Sequence, residues 1–257
     1  MMRRYLTTLD KLLHRRLLRR WSNIARNAAT MDIAELRRAR NAARQLRARI
    51  DELANKADGR LALPMVGNDI VQAPPNSEWS WRPPLFRGPL ARQGLTAVPT
   101  KTAMADGITL FHDCRESELT LRQLRNIRPE DLAPYGLRMD VFRFDGTFLS
   151  LVVDIPKEGA QGLLKRHLVR LSAIIEVEKP LEIFARLNVR HGPNTEQVVR
   201  ELPLHMDEIV VEFDLAYTKL NEKRIEGMWL DLIFESPQMN QVTIRDLTFS
   251  RYPRADI

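Results

Sequence analysis

The 257-residue sequence predicts a mainly β protein, an antiparallel β-sandwich of the jelly-roll type preceded by a basic α-helical hairpin. Apolar and polar residues alternate through residues 181–189, 209–215 and 228–234, and this period of two is typical of strands that bury one face. Prolines lie between or at the ends of about eight such runs, which no long helix interrupts. Before them, apolar residues recur at spacings of three and four, which predicts helices.

The hairpin is predicted over residues 1–59. Its first helix carries one apolar stripe, which consists of Leu6, Leu9, Leu13, Leu17, Trp21, Ile24 and Ala28. Asp32 and Glu35 form a capping-box pattern at the start of the second helix, and Gly59 is predicted to end it. The second stripe consists of Leu36, Ala39, Ala43, Leu46, Ile50, Leu53 and Ala57. We expect the two stripes to pack against each other.

The excess of positive over negative charge lies entirely in this hairpin. The net charge is +7, but residues 1–60 hold 16 Lys and Arg against 6 Asp and Glu, whereas the remainder holds 24 against 27. This excess has three interpretations: a solvated helix pair, a surface for anionic membranes, or a surface for nucleic-acid phosphates. The candidate residues are Arg15, Arg16, Arg19, Arg20 and Trp21. Because Trp21 and several leucines share one stripe, the pattern favours lipid over nucleic acid.

Residues 60–107 are predicted to be a proline-rich linker that wraps around the sandwich. Seven of the fifteen prolines lie between Pro64 and Pro99, which disfavours long regular elements. Trp79 and Trp81 are expected to pin this segment to a neighbouring surface, and the alternative is that they are exposed and stack on a ligand.

Residues 108–257 are predicted to form the sandwich. The turn Asp145–Gly146 predicts a tight hairpin between strands at residues 137–144 and 148–155. Further strands are predicted at residues 108–111, 167–177, 181–189, 209–215, 228–234 and 242–249. Residues 119–124 fit either a strand or a helix, and residues 159–165 can hold one helical turn.

The cysteine content and the apolar runs predict the compartment. Cys114 is the only cysteine, which excludes an intramolecular disulfide and fits a reducing compartment. Asp10, Lys11 and His14 interrupt any secretory apolar region, and no apolar run reaches the roughly 18 residues of a membrane span. The sequence therefore predicts a cytoplasmic protein, peripheral to the membrane if the basic helices bind lipid.

Four blocks of sequence carry a family resemblance: residues 144–148, 182–202, 211–217 and 240–251. Through them the chain resembles, over nearly its whole length, an alphaproteobacterial family of unknown function, and this resemblance implies no activity or site. Residues 244–249 are also similar to the last strand of galactose-binding-like jelly rolls and carbohydrate-binding modules. That similarity implies a fold and leaves function open.

A candidate binding surface follows from the same alternation. If the apolar residues of the best strands face the core, the residues that alternate with them form a polar surface with aromatic members. These residues are Phe184, Arg186, Asn188, Arg190, Glu212, Asp214, Trp229, Asp231 and Glu235. Aromatic rings beside hydrogen-bonding groups are typical of sites for glycans or extended peptides. The alternative is a solvated surface with cross-strand pairs of Arg and carboxylate side chains.

The segment from His191 to Glu196 follows a strand and contains turn residues, so a structural loop is expected. The alternative is a ligand loop in which His191, Asn194 and Glu196 make polar contacts and Arg190 binds an anion. Metal-ligand spacings, nucleophile motifs and phosphate loops are absent from the sequence, so no metal or cofactor is predicted. We therefore expect a non-enzymatic binding or adaptor protein with a glycan or protein partner. The alternative class is a hydrolase that uses His191 with Glu196 or Asp214.

Overall fold

The structure, a computed structural model, describes residues 8–62, 71–128 and 131–254. It divides into two compact units, residues 1–54 and residues 55–257. The predicted fold class is confirmed, since two helices come first and two antiparallel sheets form a sandwich after them.

The first unit contains the helix α1 (Thr8–Asn27) and most of the helix α2 (Ile33–Ala62). Asp32 caps α2 as predicted, because its Oδ2 accepts the backbone N–H groups of Ala34 at 2.9 Å and Glu35 at 3.3 Å. The helix continues past Gly59, three residues beyond the predicted end. Large apolar side chains of both stripes stay exposed, by 52% at Leu17 and 55% at Ile50. Trp21, Ile24 and Ala28 of the first stripe and Ala39 and Ala43 of the second are partly buried. The two predicted stripes are therefore buried only in part.

Thirteen strands form the sandwich of the second unit within the described residues. Six make one sheet, in the order β10 (Asn194–Glu201), β9 (Glu182–His191), β12 (Ile225–Glu235), β7 (Leu149–Ile155), β4 (Ile108–His112) and β3 (Thr102–Ala105). The other sheet runs in the order β11 (Ile209–Asp214), β8 (His167–Val177), β13 (Asn240–Pro253), β6 (Tyr135–Val141), β5 (Leu119–Arg125) and β2 (Gly94–Thr96). A seventh strand, β1 (Trp79–Trp81), pairs with the C-terminal half of β13. Three short helical segments lie between strands, α3 (Pro84–Arg87), α4 (Lys157–Ala160) and a 3-10 helix at Glu222–Arg224.

The core lies between the two sheets and is built by the predicted alternation. Ile183, Ala185 and Leu187 on β9 are fully buried, and so are Phe213 on β11 and Leu230 on β12. The residues that alternate with them along each strand face away from the core, as a period of two requires. On each strand the alternation therefore places a second set of side chains on the outward face of its sheet.

The sandwich begins before residue 108, inside the segment predicted to be a linker. Strands β1, β2 and β3 come from residues 79–105 and join both sheets. Trp79 and Trp81 stack on each other at 6.3 Å, and Trp81 lies 5.8 Å from the ring of Phe249 in the core. Arg82 and Asp246, exposed by only 3% each, form a bidentate ion pair with both contacts at 2.8 Å. Both tryptophans pack against the core, so they pin the segment and do not form an exposed stacking platform.

The predicted hairpin at Asp145–Gly146 is wrong. Strand β6 lies in the seven-stranded sheet and β7 in the six-stranded sheet, so the turn connects the two layers. Asp113 explains the connection, because its carboxylate accepts hydrogen bonds from Thr147 N at 2.7 Å and Phe148 N at 3.1 Å. The hydroxyl of Thr147, which donates to Asp113 Oδ2 at 2.6 Å, lowers the pKa of Asp113, and the two backbone bonds lower that pKa further. A tight hairpin does form at Gly192, where φ is +61°, and it makes residues 194–201 a strand and not a loop.

Candidate functional site

A cleft of about 500 Å³ crosses the outward face of the six-stranded sheet. Its lining residues come from five of the six strands and from the end of one loop, and they are Phe111, Phe148, Ser150, Val152, Arg186, Asn188, Gln197, Trp229, Asp231 and Ile233. Half of them are apolar or aromatic and half are polar, a mixture that suits a small-molecule or oligomeric ligand.

The strand register places these side chains in rows across the sheet. Asn188 lies between Gln197 and Trp229, which are its partners on the two neighbouring strands. In the next row Asp231 lies between Arg186 and Val152. The row after that joins Ile233, Ser150 and Phe111. Since side chains opposite each other in an antiparallel pair are about 5 Å apart, each row forms a continuous strip of contacts.

A hydrogen-bonded network fixes the polar part of the cleft. Arg186 donates to Asp231 Oδ2 from Nε at 2.8 Å and from Nη2 at 2.7 Å. Asn188 Nδ2 donates to the same oxygen at 3.1 Å, and Gln197 Nε2 donates to Asn188 Oδ1 at 2.9 Å. Asn188 and Asp231 are only 1% and 4% exposed, so these contacts form in a largely desolvated environment. The network holds the guanidinium and amide groups in fixed orientations before any ligand arrives.

Ser150 contributes an unused hydrogen-bonding group to the floor of the cleft. The residue is 8% exposed, and its Oγ has no hydrogen-bond partner among the described protein groups. A buried hydroxyl without a partner costs about 1–3 kcal/mol. A ligand hydroxyl at this position would remove that cost by donating to or accepting from Oγ.

Aromatic side chains flank the network. Trp229 is partly exposed beside Asn188, and Phe148 is 44% exposed where the chain enters β7. Phe111 lies on the neighbouring strand β4 and is also partly exposed. The cleft therefore offers ring faces for stacking next to groups that form hydrogen bonds.

The structure brings together four of the residues predicted from the alternation: Arg186, Asn188, Trp229 and Asp231. Phe184 shares their face, opposite Ile233, but does not line the cleft. Arg190 lies outside the cleft and pairs with Glu226 at 3.0 Å on the surface. It is therefore placed as a surface ion-pair partner and not in an anion site.

Asp214 lies apart from these residues, and the prediction that it shares their surface is wrong. It ends β11 in the seven-stranded sheet, so the core separates it from the cleft. Its carboxylate accepts the N–H of Ala216 at 2.9 Å and contacts Arg254 Nη1 at 3.2 Å. Glu212 also lies on β11 and so on the other sheet. The prediction failed for both residues because alternation alone does not show which strands share a sheet.

His191 occupies the core-facing side of β9 and does not form the predicted catalytic pair. The residue is 5% exposed, and its Nδ1 accepts the N–H of Asn221 at 3.3 Å. Its Nε2 lies 3.8 Å from Glu196 Oε1, beyond hydrogen-bond distance. Asn194 is exposed at the start of β10, where it pairs with His191. None of the three lines the cleft.

Cys114 and its neighbour His112 are held by contacts within the protein. Among the described residues, no three His, Cys, Asp or Glu side chains are grouped closely enough to hold a metal ion. His112 is buried, with its Nε2 at 2.8 Å from the carbonyl of Val98 and its Nδ1 accepting the N–H of Cys114. Burial raises the pKa of the Cys114 thiol, which disfavours the reactive thiolate.

The candidate polyanion residues lie in the other compact unit. Arg15, Arg16, Arg19 and Arg20 are all exposed on α1, and Trp21 is partly exposed beside them. No described helix is both long enough and apolar enough to span a bilayer. These residues belong to the first unit, whereas the cleft belongs to the second.

Six lining residues were not predicted: Phe111, Phe148, Ser150, Val152, Gln197 and Ile233. Val152 and Ile233 are apolar residues at outward positions of β7 and β12, so the alternation of apolar with polar residues gives no signal for them. Gln197 lies on β10, for which no strand is predicted from the sequence, and it follows the loop expected at residues 191–196. The strand pair β4 and β7 could have identified Phe111 and Ser150, but only once its register was known.

Comparison with known proteins identifies the family. The model of one protein family matches residues 1–257 of the chain. The chain belongs to DUF6478, a family of unknown function. This finding confirms the resemblance to a family of unknown function. A search of curated proteins found no match for this DUF6478 chain.

Solved structures similar to this DUF6478 chain include several carbohydrate-binding modules. The family 11 module from Clostridium thermocellum, in complex with a β-1,3-1,4-mixed-linked tetrasaccharide, is 9% identical with a TM-score of 0.40, over 64% of this chain and 97% of the module. A family 61 module with bound β-1,4-galactotriose is 13% identical with a TM-score of 0.33, over 57% of this chain and 88% of the module. The enzymatically active domain of bacteriophage CBA120 tailspike protein 4 is 7% identical with a TM-score of 0.41, and the match covers 56% of this chain but only 19% of the phage chain.

Proposed function

We propose that the cleft on the six-stranded sheet binds a glycan without converting it. The observation that carries the proposal is the union, in one cleft, of exposed aromatic rings with a preorganised hydrogen-bonding network. Sugar rings present apolar faces and hydroxyl edges, so they need stacking surfaces and fixed donors and acceptors together. Ser150 adds a buried hydroxyl that a sugar hydroxyl can satisfy.

The dimensions of the cleft fit an oligosaccharide better than a single sugar. Its lining runs across five strands, from Gln197 on β10 to Phe111 on β4. Four interstrand spacings correspond to about 19 Å. A chain of several linked sugars can therefore lie across the strands and contact Trp229 and Phe148 with different rings.

The charge of the cleft favours an uncharged glycan. Arg186 is the only cationic side chain among the lining residues, and two contacts to Asp231 already neutralise it. An acidic sugar would have to compete with Asp231 for the guanidinium. A neutral hydroxyl can instead accept from an Arg186 N–H or donate to the carboxylate without breaking the pair.

Binding without catalysis follows from the acidic groups in the cleft. Glycoside hydrolysis uses two carboxyl groups, one on each side of the scissile bond. Asp231 is the only carboxylate among the lining residues, and its Oδ2 is engaged by Arg186 and Asn188. The cleft can therefore hold a glycan but offers no acid–base pair to cleave it.

The test is a glycan array followed by titration calorimetry with the full-length chain. We expect uncharged oligosaccharides to bind, and Phe148→Ala to weaken that binding by about tenfold through loss of stacking area. Phe142→Ala is the matched control, because Phe142 is 52% exposed but does not line the cleft. Trp229→Ala should also weaken binding, whereas Arg190→Ala should not. The proposal fails if no glycan binds, or if Phe142→Ala weakens binding as much as Phe148→Ala. Capture of a peptide that Phe148→Ala abolishes would instead assign the cleft to a protein partner.

A further inference from the structure

Several large apolar side chains on the helices of the first unit are exposed. Leu13, Leu17 and Leu18 on α1 are 50%, 52% and 55% exposed, and Leu46 and Leu53 on α2 are 43% and 69% exposed. Single exposed leucines are ordinary, but contiguous ones along a helix mark a contact surface. This surface is independent of the cleft and its function.

Most of the apolar residues of α1 that are exposed or partly exposed form one stripe, and cationic side chains lie along one of its borders. At about 100° per residue, Leu13, Leu17, Trp21 and Ile24 fall within roughly a quarter of the helix circumference. By the same geometry Arg16 and Arg20 border that stripe, and Arg15 and Arg19 lie on the far side. Arg16 and Arg20 are exposed and Trp21 is partly exposed.

The helix α2 repeats the arrangement with arginines along both borders. Its stripe contains Leu36, Leu46, Ile50 and Leu53. Helical spacing places Arg40 and Arg47 along one border, and it places Arg38 and Arg49 along the other. An apolar stripe between cationic borders is the arrangement of helices that lie flat in the interface of an anionic bilayer.

We propose that this helical unit docks the protein on anionic membrane surfaces, with the stripes in the acyl boundary and the bordering arginines at lipid phosphates. The charge distribution supports a lipid partner, because residues 1–60 carry a net charge of +10 and the remainder carries −3. Arginines at the borders can pair with phosphates while their stems cover apolar surface.

Two other occupants fit the stripes less well. Nucleic acid neutralises arginine without using apolar side chains, so it would leave the leucines in water. A second copy of the chain would cover the stripes, but it would bring the arginine borders of two copies together and so incur like-charge repulsion. An anionic lipid surface satisfies the apolar and the cationic residues at once.

The test measures co-sedimentation of the full-length protein with vesicles of phosphatidylcholine and phosphatidylserine, and with vesicles of phosphatidylcholine alone. We expect binding only to the anionic vesicles, and it should weaken by about tenfold or more between roughly 50 and 200 mM salt. The emission of Trp21, obtained as the difference between the intact protein and Trp21→Phe, should shift to the blue on these vesicles.

Two neighbouring leucines provide a matched pair of variants. Leu17 lies in the stripe and Leu18 outside it, yet they are almost equally exposed, and glutamine keeps a similar helix propensity. We expect Leu17→Gln to weaken vesicle binding by about tenfold and Leu18→Gln by less than about twofold. Equal losses in the two variants would overturn the proposal, as would retention of DNA without vesicle binding. A concentration-dependent dimer that Leu17→Gln dissociates would also overturn it, because a second copy would then cover the stripe.

Discussion

At the scale of single residues, the cleft depends on a few contacts that alternation alone does not reveal. Arg186, Asn188, Trp229 and Asp231 were found from the sequence because they occupy outward positions on two strands that proved to be neighbours. Asp214 follows the same pattern, but its strand joined the other sheet. Alternation determines the face of a strand on which a side chain lies, and only the pairing of strands determines which side chains meet.

Asp231 should be more important to stability than an exposed carboxylate in the same sheet. Its side chain is 6% exposed and accepts from Arg186 and Asn188, so Asp231→Asn leaves donors without their charged acceptor. We expect the free energy of unfolding to fall by about 1–3 kcal/mol. Glu226→Gln is the control, because Glu226 is 48% exposed in its pair with Arg190 and should change that energy by less than about 1 kcal/mol. Urea denaturation measures both, and equal effects would show that the network adds no stability.

At the scale of the elements, periodicity predicted most strands, but it missed a strand with mostly exposed side chains and did not show which strands a turn connects. The strand predicted at residues 167–177 was found with those bounds, and that at 209–215 differs by one residue. The strand at 194–201 was missed because its side chains are mostly exposed, so little apolar alternation remains. The dipeptide Asp145–Gly146 predicts a hairpin because it favours tight turns. In the structure the turn instead connects the two sheets, and the carboxylate of Asp113, which is distant in sequence, accepts hydrogen bonds from the residues that follow it.

We expect this turn to require glycine at position 146, because Asp113 and Cys114 pack close to its Cα. A Cβ at Gly146 would lie 2.4 Å from Asp113 Oδ1 and 3.0 Å from Cys114 N, distances that force the turn to move. We expect Gly146→Ala to lower the free energy of unfolding by about 1–3 kcal/mol. A Cβ at Gly227 would meet no atom within 4 Å, so Gly227→Ala should have little effect. Thermal unfolding of the two variants gives the comparison, and equal midpoints would show that the turn adapts without cost.

At the scale of the whole molecule, the chain separates a charged helical unit from a sandwich of nearly balanced charge. The charge asymmetry was visible in the sequence, since it needs only counting. The start of the sandwich was not visible in the sequence, because the high proline content before residue 108 disfavours strands and three short strands nevertheless form there. Those strands are held by tertiary contacts such as the ion pair between Arg82 and Asp246, which no local pattern indicates.

The segment at residues 71–107 should therefore be essential to the sandwich, and two shortened chains test this. A chain of residues 71–257 keeps all thirteen described strands, so we expect β-dominated circular dichroism and cooperative unfolding. A chain of residues 108–257 lacks β1, β2 and β3 and leaves Asp246 buried without Arg82. Losing one partner of a buried ion pair costs about 3–5 kcal/mol, a large share of the roughly 5–15 kcal/mol that stabilises a domain. The loss of Leu85 and Phe86, which are 0% and 1% exposed in the intact chain, removes further core surface. The shorter chain should consequently fail to unfold cooperatively. If it unfolds at the same midpoint as residues 71–257, the segment is an accessory wrap, as the proline content first indicated.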